Sequence, residues 1–553
     1  MKKLLQSLFI LLLIAHSAIA QDRTVTGTVT DQAEGKPLPG VTVRLVGAAG
    51  GTLTNANGEF TVKAPSSVTS LEFSYLGFVT KTGAISGNTV NIALAVDTKS
   101  LSEVVVTGYT STSKVRNVGA ATVIGSEKIG NVPMASFTSR LQGQAPGVNV
   151  LSGTGQPGSN ASIRIRGVNS IAGGTTPLYI VDGITIDEAT FSTINPNDFE
   201  SITILKDASG TALYGSRGGN GVVVIKTKRG AVGKVVVGYN VQAGIDTRTR
   251  NKFDMLNSAQ LLQLQEQGKG GAGWEYSPLN TASTIPAARR GVILDSIRNI
   301  NTNWDDLFFR DGKFQSHEVT ASGGNEATRF YSSFNYYSQD GIALRSSLDR
   351  YTMRLNLDHS ADKLTLGLQT NLGWSKSSFI ESEASVTLAN PFAAAYLALP
   401  WEKPYGPDGR ILTSNNTVGV NRPSNPFTAA NGVLADSRIG SNALDRLDNS
   451  TLFTDQIKTT AIATAAYEIL EGLKLTTNLG IDYRQTVQER SLFPGSHAGV
   501  SVANGNQGSY GNNVTRILNL TSTSGLTYAK SWDKHQINAN ALVEALRTRN
   551  SLF

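Results

Sequence analysis

From Lys234 onward the chain alternates apolar and polar residues over long stretches, the period of a strand with two unlike faces. Across 235–246, Val235, Val237, Tyr239, Val241, Ala243 and Ile245 share one face. Val236, Gly238, Asn240, Gln242, Gly244 and Asp246 share the other. In 351–358, Tyr351, Met353, Leu355 and Leu357 oppose Thr352, Arg354, Asn356 and Asp358. In 364–374, Leu364, Leu366, Leu368, Leu372 and Trp374 oppose Thr365, Gly367, Gln369, Asn371 and Gly373. The pattern predicts further strands over 314–322, 327–339, 456–468, 471–485, 514–528 and 535–547, about nine in all.

A soluble antiparallel sheet with one wet face has the same period. Two features favour a bilayer instead. Many of these strands run about 11 to 15 residues, beyond the globular mode and suited to a tilted crossing. Short connections (323–326, 360–362, 470–471, 529–534) also alternate with long ones (247–313, 377–455, 486–513), as on the two sides of a membrane barrel. Tyr331, Phe334, Tyr336, Tyr337, Trp374 and Tyr483 lie near strand ends and are expected to form interface girdles.

Upstream, residues 23–97 read as short strands separated by turns: VTGTVTD, PLPGVTVRLVG, GTLTNANGEFTVKA, SLEFSYLGFVTK and TVNIALA. Their spacing predicts a small β-sandwich. Asn57-Gly58 is the signature of a hairpin whose two central residues both take positive φ. Gly27, Asp31, 37–40 (PLPG), 54–60 (TNANGEF) and 75–78 (YLGF) resemble the carboxypeptidase regulatory-like domain. That domain is non-catalytic.

Leu101 to Tyr109 (LSEVVVTGY) is a β-branched run flanked by small polar residues. It reads either as one more sandwich strand or as an exposed segment that adds to the edge of a partner's sheet. Its place at a module junction favours the second reading. Residues 134–143 look helical. Ile163 and Ile165 alternate with Arg164 and Arg166, giving one buried and one cationic face. The densest motif is 195–230: an acidic-aliphatic strand, a helical turn, glycines at 215, 218, 219 and 221 around Arg217, then the continuous apolar run Val222 to Ile225. Such a run suits a strand covered on both sides.

The chemistry this region suggests at first sight is weak. No G-K-[ST] accompanies the glycines, so a phosphate loop is unsupported. Asp182, Asp187 and Asp207 read as turn and capping carboxylates rather than acid-base pairs. His317, His359, His497 and His535 sit in no metal-binding spacing. Catalysis, metals and cofactors are therefore assigned to no residue, and an exported hydrolase is the least favoured function.

The first twenty residues carry the marks of a secretory signal. Lys2 and Lys3 precede the apolar run Leu8–Ala15, and Ala18-Ile19-Ala20 offers a cleavage site before Gln21. The run is too short to span a bilayer. Of 553 residues none is cysteine, so an exported chain must draw its stability from hydrogen-bonded sheet and burial. The net charge of +7 is too dilute to argue for nucleic acid.

With these residues in view, the chain over 24–553 resembles the SusC/RagA family of TonB-linked (TonB-dependent) outer-membrane transporters. The likeness is carried by Glu103 to Tyr109, 163–167 (IRIRG), 178–183 (LYIVDG) and the 195–230 block. Gly210 and Gly219 stand where the family usually has Ala. The resemblance implies a mainly β fold in five parts. These are a signal peptide (1–20), the carboxypeptidase regulatory-like sandwich (21–98), a TonB-box-like segment (101–109), an α/β plug domain (110–230) and transmembrane barrel strands (231–553). It implies TonB binding by Glu103, Val104, Val105, Val106, Thr107 and Gly108. A structural plug motif falls on Arg164, Arg166, Asp182, Gly183, Lys206, Asp207, Tyr214, Gly215, Arg217, Gly218 and Gly221.

The implied function is import of a bulky nutrient, a glycan or peptide fragment, across the outer membrane. The implied partners are TonB, driven by the inner-membrane proton gradient, a SusD-like lipoprotein, and outer-membrane lipid. The rival reading is a passive ligand-binding or adhesion barrel, which needs neither plug nor TonB segment. A signalling transducer would need a further domain ahead of Arg23. The family barrel has more strands than are found here, and nine is odd where bacterial barrels use even numbers. The chain is thus expected to be the N-terminal part of a longer protein, with an incomplete barrel that conducts nothing by itself.

Overall fold

The computed structural model describes residues 23–553 apart from 33–34, 49, 76–77, 96–103, 107–110, 114–119, 131–135, 152–154, 160, 168–173, 189–192, 250–251, 380–389, 414–438, 497–507 and 533–534. The expected signal peptide, Leu76-Gly77, Glu103, Thr107, Gly108, Met134 and Ala135 lie outside the described residues. The chain divides into two compact units, the second holding 118–553.

In the first unit, β1 (Arg23–Asp31), β4 (Glu59–Ala64) and β7 (Ile92–Leu94) form one sheet. β2 (Thr42–Leu45), β3 (Gly51–Leu53), β5 (Ser70–Ser74) and β6 (Lys81–Ala84) form another. Alternate residues such as Val43, Phe60, Val62, Leu71 and Phe73 close the core between them. The Asn57-Gly58 turn is not the expected hairpin. It links β3 to β4, which belong to different sheets, and only Gly58 has positive φ, at 73°. The Asn55 side chain shapes it instead, accepting from the Asn57 and Glu59 amides at 2.9 Å each. This is an Asx turn, in which a side chain stands in for a backbone acceptor.

Val104–Val106 forms β8, which joins neither sandwich sheet. Its backbone pairs in a two-stranded ribbon with β9 (Ser111–Ser113).

The second unit opens with a five-stranded mixed sheet in the order β10 (Ala121–Gly125), β15 (Phe199–Leu205), β16 (Val222–Thr227), β13 (Leu178–Val181), β14 (Ile184–Ile186). β11 (Val148–Leu151) and β12 (Ser162–Ile165) pair beside it. Val222 to Ile225 are all buried: Val223 and Ile225 in one apolar cluster, Val222 and Val224 in another with Tyr214. The continuous apolar run therefore reflects cover on both faces. The helix expected over 134–143 is shorter, spanning Phe137–Arg140.

Nine antiparallel strands follow, each paired with the next in chain order: β17 (Gly233–Asp246), β18 (Gly312–Gly324), β19 (Thr328–Asp340), β20 (Ser347–Ala361), β21 (Leu364–Ser378), β22 (Ser450–Leu470), β23 (Leu473–Leu492), β24 (Ser509–Trp532) and β25 (His535–Leu552). Among the described residues this sheet does not close on itself. β22, β23 and β24 run 21, 20 and 24 residues, well beyond the alternating segments read from sequence. Their polar ends continue the ladder after the apolar face has stopped.

The burial pattern of this sheet separates the two readings of its period. In a soluble protein the apolar face is covered and the polar face wet. Here the order is inverted. Met353 and Leu355 are 47% and 36% exposed, whereas Arg354 and Asn356 are 3% and 0% exposed. Val235, Val237, Tyr239 and Ile245 are likewise exposed. The covered polar face meets the plug, and the bare apolar face is what a bilayer requires.

An aromatic row crosses that outer face. Tyr239, His317, Tyr336, Tyr351 and Trp374 stack pairwise across β17 to β21, with centroids 4.8 to 6.4 Å apart. Tyr331 and Tyr337, expected in this girdle, are instead buried on the inner face. Period 2 decides it, for odd positions of β19 share the side of Ser333 and Asn335. The long connections also hold structure that the loop reading missed. Helices occupy Ser258–Gln267, Ala287–Arg298 and Pro391–Leu397, among others. The first carries a capping box between Asn257 and Gln260, a legible start signal.

Leu355→Arg is expected to lower barrel stability in lipid vesicles by about 2–4 kcal/mol near the bilayer midplane. Denaturant titration of the vesicle-embedded protein reads this directly. An unchanged unfolding midpoint would mean that this face meets water.

Candidate functional site

The site lies where the plug meets the inner face of the sheet, and its plug side is built by two short segments. Asn195-Pro196-Asn197-Asp198 makes a single 3-10 turn, with Asn195 capping it through the Asn197 amide at 3.2 Å. Asp182-Gly183 makes the two-residue turn between β13 and β14, with φ of 47° and 92°. Positive φ at both positions suits an Asp-Gly hairpin turn. Gly230 packs against the Phe330 backbone so closely that any Cβ there would collide.

Barrel side chains close on these turns. Asp198 accepts from Tyr331 Oη at 3.0 Å and Ser333 Oγ at 2.6 Å. Its other oxygen lies 3.4 Å from Arg354 Nε, an electrostatic contact rather than an aligned hydrogen bond. Asp182 accepts from the Thr227 amide and hydroxyl at 3.1 and 2.6 Å, and lies 4.0 Å from Arg354. Asn195 donates to Glu318 at 2.6 Å. Asn356 donates to Thr227 Oγ1 and Lys228 O at 3.0 and 2.7 Å. Arg229 pairs with Asp358 and Arg217 with Glu544, while Arg484 holds Asp187 at 2.9 Å.

The enclosed charges balance. Guanidiniums of Arg140, Arg350 and Arg354 accompany carboxylates of Asp182, Asp198 and Glu318, all with side chains almost fully covered. Arg140 reaches Ile129 O at 3.0 Å and Asn197 Oδ1 at 2.9 Å. Burial, helped by the neighbouring Arg350, pulls its guanidinium down to about 10. Ions out of water are tolerated only when so paired. The barrel wall also makes room for the plug. A Cβ on Gly480 would stand 2.6 Å from Ile184 Cγ2.

Of the residues singled out from sequence, Asp182 enters this seam and Arg217 reaches β25. The others frame the plug. Arg164 is half-buried on β12 and Arg166, with φ of 62°, ends it. Lys206 donates to Pro146 O at 2.6 Å. Asp207 caps the helical turn Ala208–Thr211 through the Gly210 amide and accepts from the Ala120 amide at 2.6 Å. Tyr214 is core, and Gly215 has φ of 56°. A Cβ on Gly218 or Gly221 would press on Thr211 O or Ile165 at 2.9 and 2.7 Å. Glu103, Thr107 and Gly108 are outside the described residues.

Sequence reasoning missed Arg140, Asn195, Asp198, Glu318, Arg350 and Arg354 as site residues. The available signal was charge on the polar face of a long strand, as at Arg350, Arg354 and Asp358, spaced four apart.

Known proteins share this architecture. The TonB-dependent Receptor Plug Domain family matches residues 113–222, and the CarboxypepD_reg-like domain matches 25–106. TonB-dependent receptor P3 of Formosa agariphila is 30% identical over 548 residues, covering 97% of this chain and 49% of that protein. TonB-dependent receptor SusC of Bacteroides thetaiotaomicron is 28% identical, covering 96% and 51%. A solved structure of the RagAB peptide transporter superposes with a TM-score of 0.65 at 24% identity, covering 79% of this chain and 48% of that one. The chain spans about half the length of these relatives.

Two measurements test the seam. Arg354→Ala strands two buried carboxylates and is expected to cost about 3–5 kcal/mol of plug docking. It should appear as faster amide exchange in β15 and β16. Adding Asp198→Asn should cost less than it does alone, and strict additivity would dissolve the proposed coupling. Asp207 gives a pH dependence. The Ala120 amide, then Gly210 and Ser209, hold its carboxyl below the ordinary value. A depressed folded value means that the cap is intact above the ordinary carboxylate range and is lost as pH falls through the folded value. Exchange at Ala120 and Gly210, relative to intrinsic rates, should therefore rise only as pH falls below the ordinary carboxylate range, and Asp207→Asn should remove that dependence.

Proposed function

Because the chain belongs to the SusC/RagA type of TonB-dependent receptors, we propose that it forms the plug and adjoining wall of an outer-membrane importer. Its cargo is a bulky nutrient, a glycan or peptide fragment, captured outside with a SusD-like lipoprotein. TonB, coupled to the inner-membrane proton gradient, supplies the work from the periplasm. The observation that carries this reading is the charge-balanced polar seam between a folded plug and a sheet whose outer face is apolar.

The seam suits a part that must hold and then yield. While dry it is rigid, because each buried polar atom needs its particular partner. Once water enters, each broken contact is replaced by hydration, so the net cost is only about 0.5–1.5 kcal/mol per neutral hydrogen bond and about 1.5–3 kcal/mol where one partner is charged. A pull at the N-terminal end of the plug can therefore open it contact by contact. Cargo bound outside must favour one plug state over another, since equal affinity for both transmits nothing.

The handle is the segment Glu103 to Gly108. Val104–Val106 is already extended, and its pairing with β9 leaves one strand edge open among the described residues. A partner strand can add to such an edge through backbone hydrogen bonds. Deleting Ser102 to Tyr109 is expected to abolish uptake while leaving cargo binding at the cell surface intact. Undiminished uptake in that deletion strain would remove the handle from the mechanism.

A further inference from the structure

The long connections after β17 and β21 line an open cavity of about 690 Å³, a size that accepts a small ligand or a few residues of a chain. It lies at the ends of the strands opposite the short turns. Its walls come from the segment after β17, the helix Trp304–Phe308 and the helix Pro391–Leu397.

Arg248 ties these walls together. Its guanidinium holds Asp305 at 2.7 Å and Tyr396 Oη at 3.1 Å, and sits 4.1 Å from the centroid of Phe309. Trp304 Nε1 donates to Leu399 O at 3.1 Å, and the Thr302 amide donates to Pro400 O at 2.7 Å. The cavity is therefore formed before any ligand arrives, which lowers the ordering cost of binding.

Its chemistry selects the occupant. Phe253, Met255, Leu256, Tyr396 and Leu397 expose 39% to 62% of their surface around it. The polar groups of the wall are largely engaged with one another. Arg248 is held by Asp305 and Tyr396, while Asn303 caps the Asp305 amide and donates to Asp306. A glycan, whose every hydroxyl needs a partner, finds few here. Asp254 is the charged liner with no hydrogen-bond or ion-pair partner among the described residues. Apolar walls beside one unmatched carboxylate fit an apolar side chain adjacent to a cation.

We propose that this cavity is a docking site for an extended oligopeptide carrying apolar side chains next to a lysine, arginine or free amino group. The site rests on the importer reading, in which these connections face the exterior, and it gives that importer a peptide as cargo.

The test uses the full-length protein purified from outer membranes, with calorimetric titration of three probes: Ala-Leu-Lys-Leu-Ala, Ala-Leu-Glu-Leu-Ala and a neutral hexasaccharide. The lysine peptide is expected to bind about fivefold more tightly than the glutamate peptide. Asp254→Lys should reverse that order, and Leu397→Ser, on an exposed side chain, should weaken both peptides. Binding of the hexasaccharide alone would overturn the proposal, as would an unchanged peptide preference in Asp254→Lys. Absence of peptide binding alongside intact TonB-dependent uptake would overturn the site and leave the importer standing. Loss of the importer reading would appear in the uptake assay and not in these titrations.

Discussion

The larger unit depends on how charge is kept out of water between the plug and the inner face of the sheet. A buried guanidinium or carboxylate without its counterpart costs several kcal/mol, more than most single contacts return. Arg354 is matched to Asp198 and Asp182 and Asp358 to Arg229, while Glu318 accepts a hydrogen bond from the neutral Asn195. These matches fix the plug's position more sharply than apolar packing would, because a displacement of one residue leaves ions facing the wrong partners. Apolar contact also crosses this boundary, where Ile462 of β22 joins the plug core. Specificity of seating and readiness to re-solvate thus come from the same groups.

The backbone serves that arrangement. The Asp182-Gly183 turn places a carboxylate at the tip of a hairpin, where β16 satisfies it through Thr227 and the barrel reaches it through Arg354. The 3-10 turn at Pro196–Asp198 does the same for Asp198 at the start of β15. Both carboxylates stand at strand ends in the plug, so a shift of the sheet moves them together.

What was legible in the sequence follows from where environments differ sharply along the chain. Alternation over 351–358 marked β20 because one side faces the plug and the other does not. Val222 to Ile225 marked a strand covered on both sides. The seam was hidden because its partners lie far apart: Asn195 and Glu318 are separated by 123 positions, and neither has a local pattern. Tyr331 and Tyr337 face inward because parity along the strand, and not aromatic character, sets the side a residue takes. The Asn57-Gly58 turn departs from the hairpin its dipeptide predicts because Asn55, two residues upstream, does the shaping. The helix beginning at Ser258 is legible from its Asn257 and Gln260 capping box, although it lies inside a long connection.

The length of β24 has a further bearing on the molecule. Its 24 residues span about 80 Å along the strand at ~3.3 Å each. At a tilt of about 45° that is roughly 55 Å of height, against an apolar band of about 25 Å. More than half of the strand therefore stands clear of hydrocarbon, as a stiff hydrogen-bonded collar. The connections it supports ride on a raised rim rather than lying among lipid headgroups, so a large solute meets shaped protein before it meets the membrane surface.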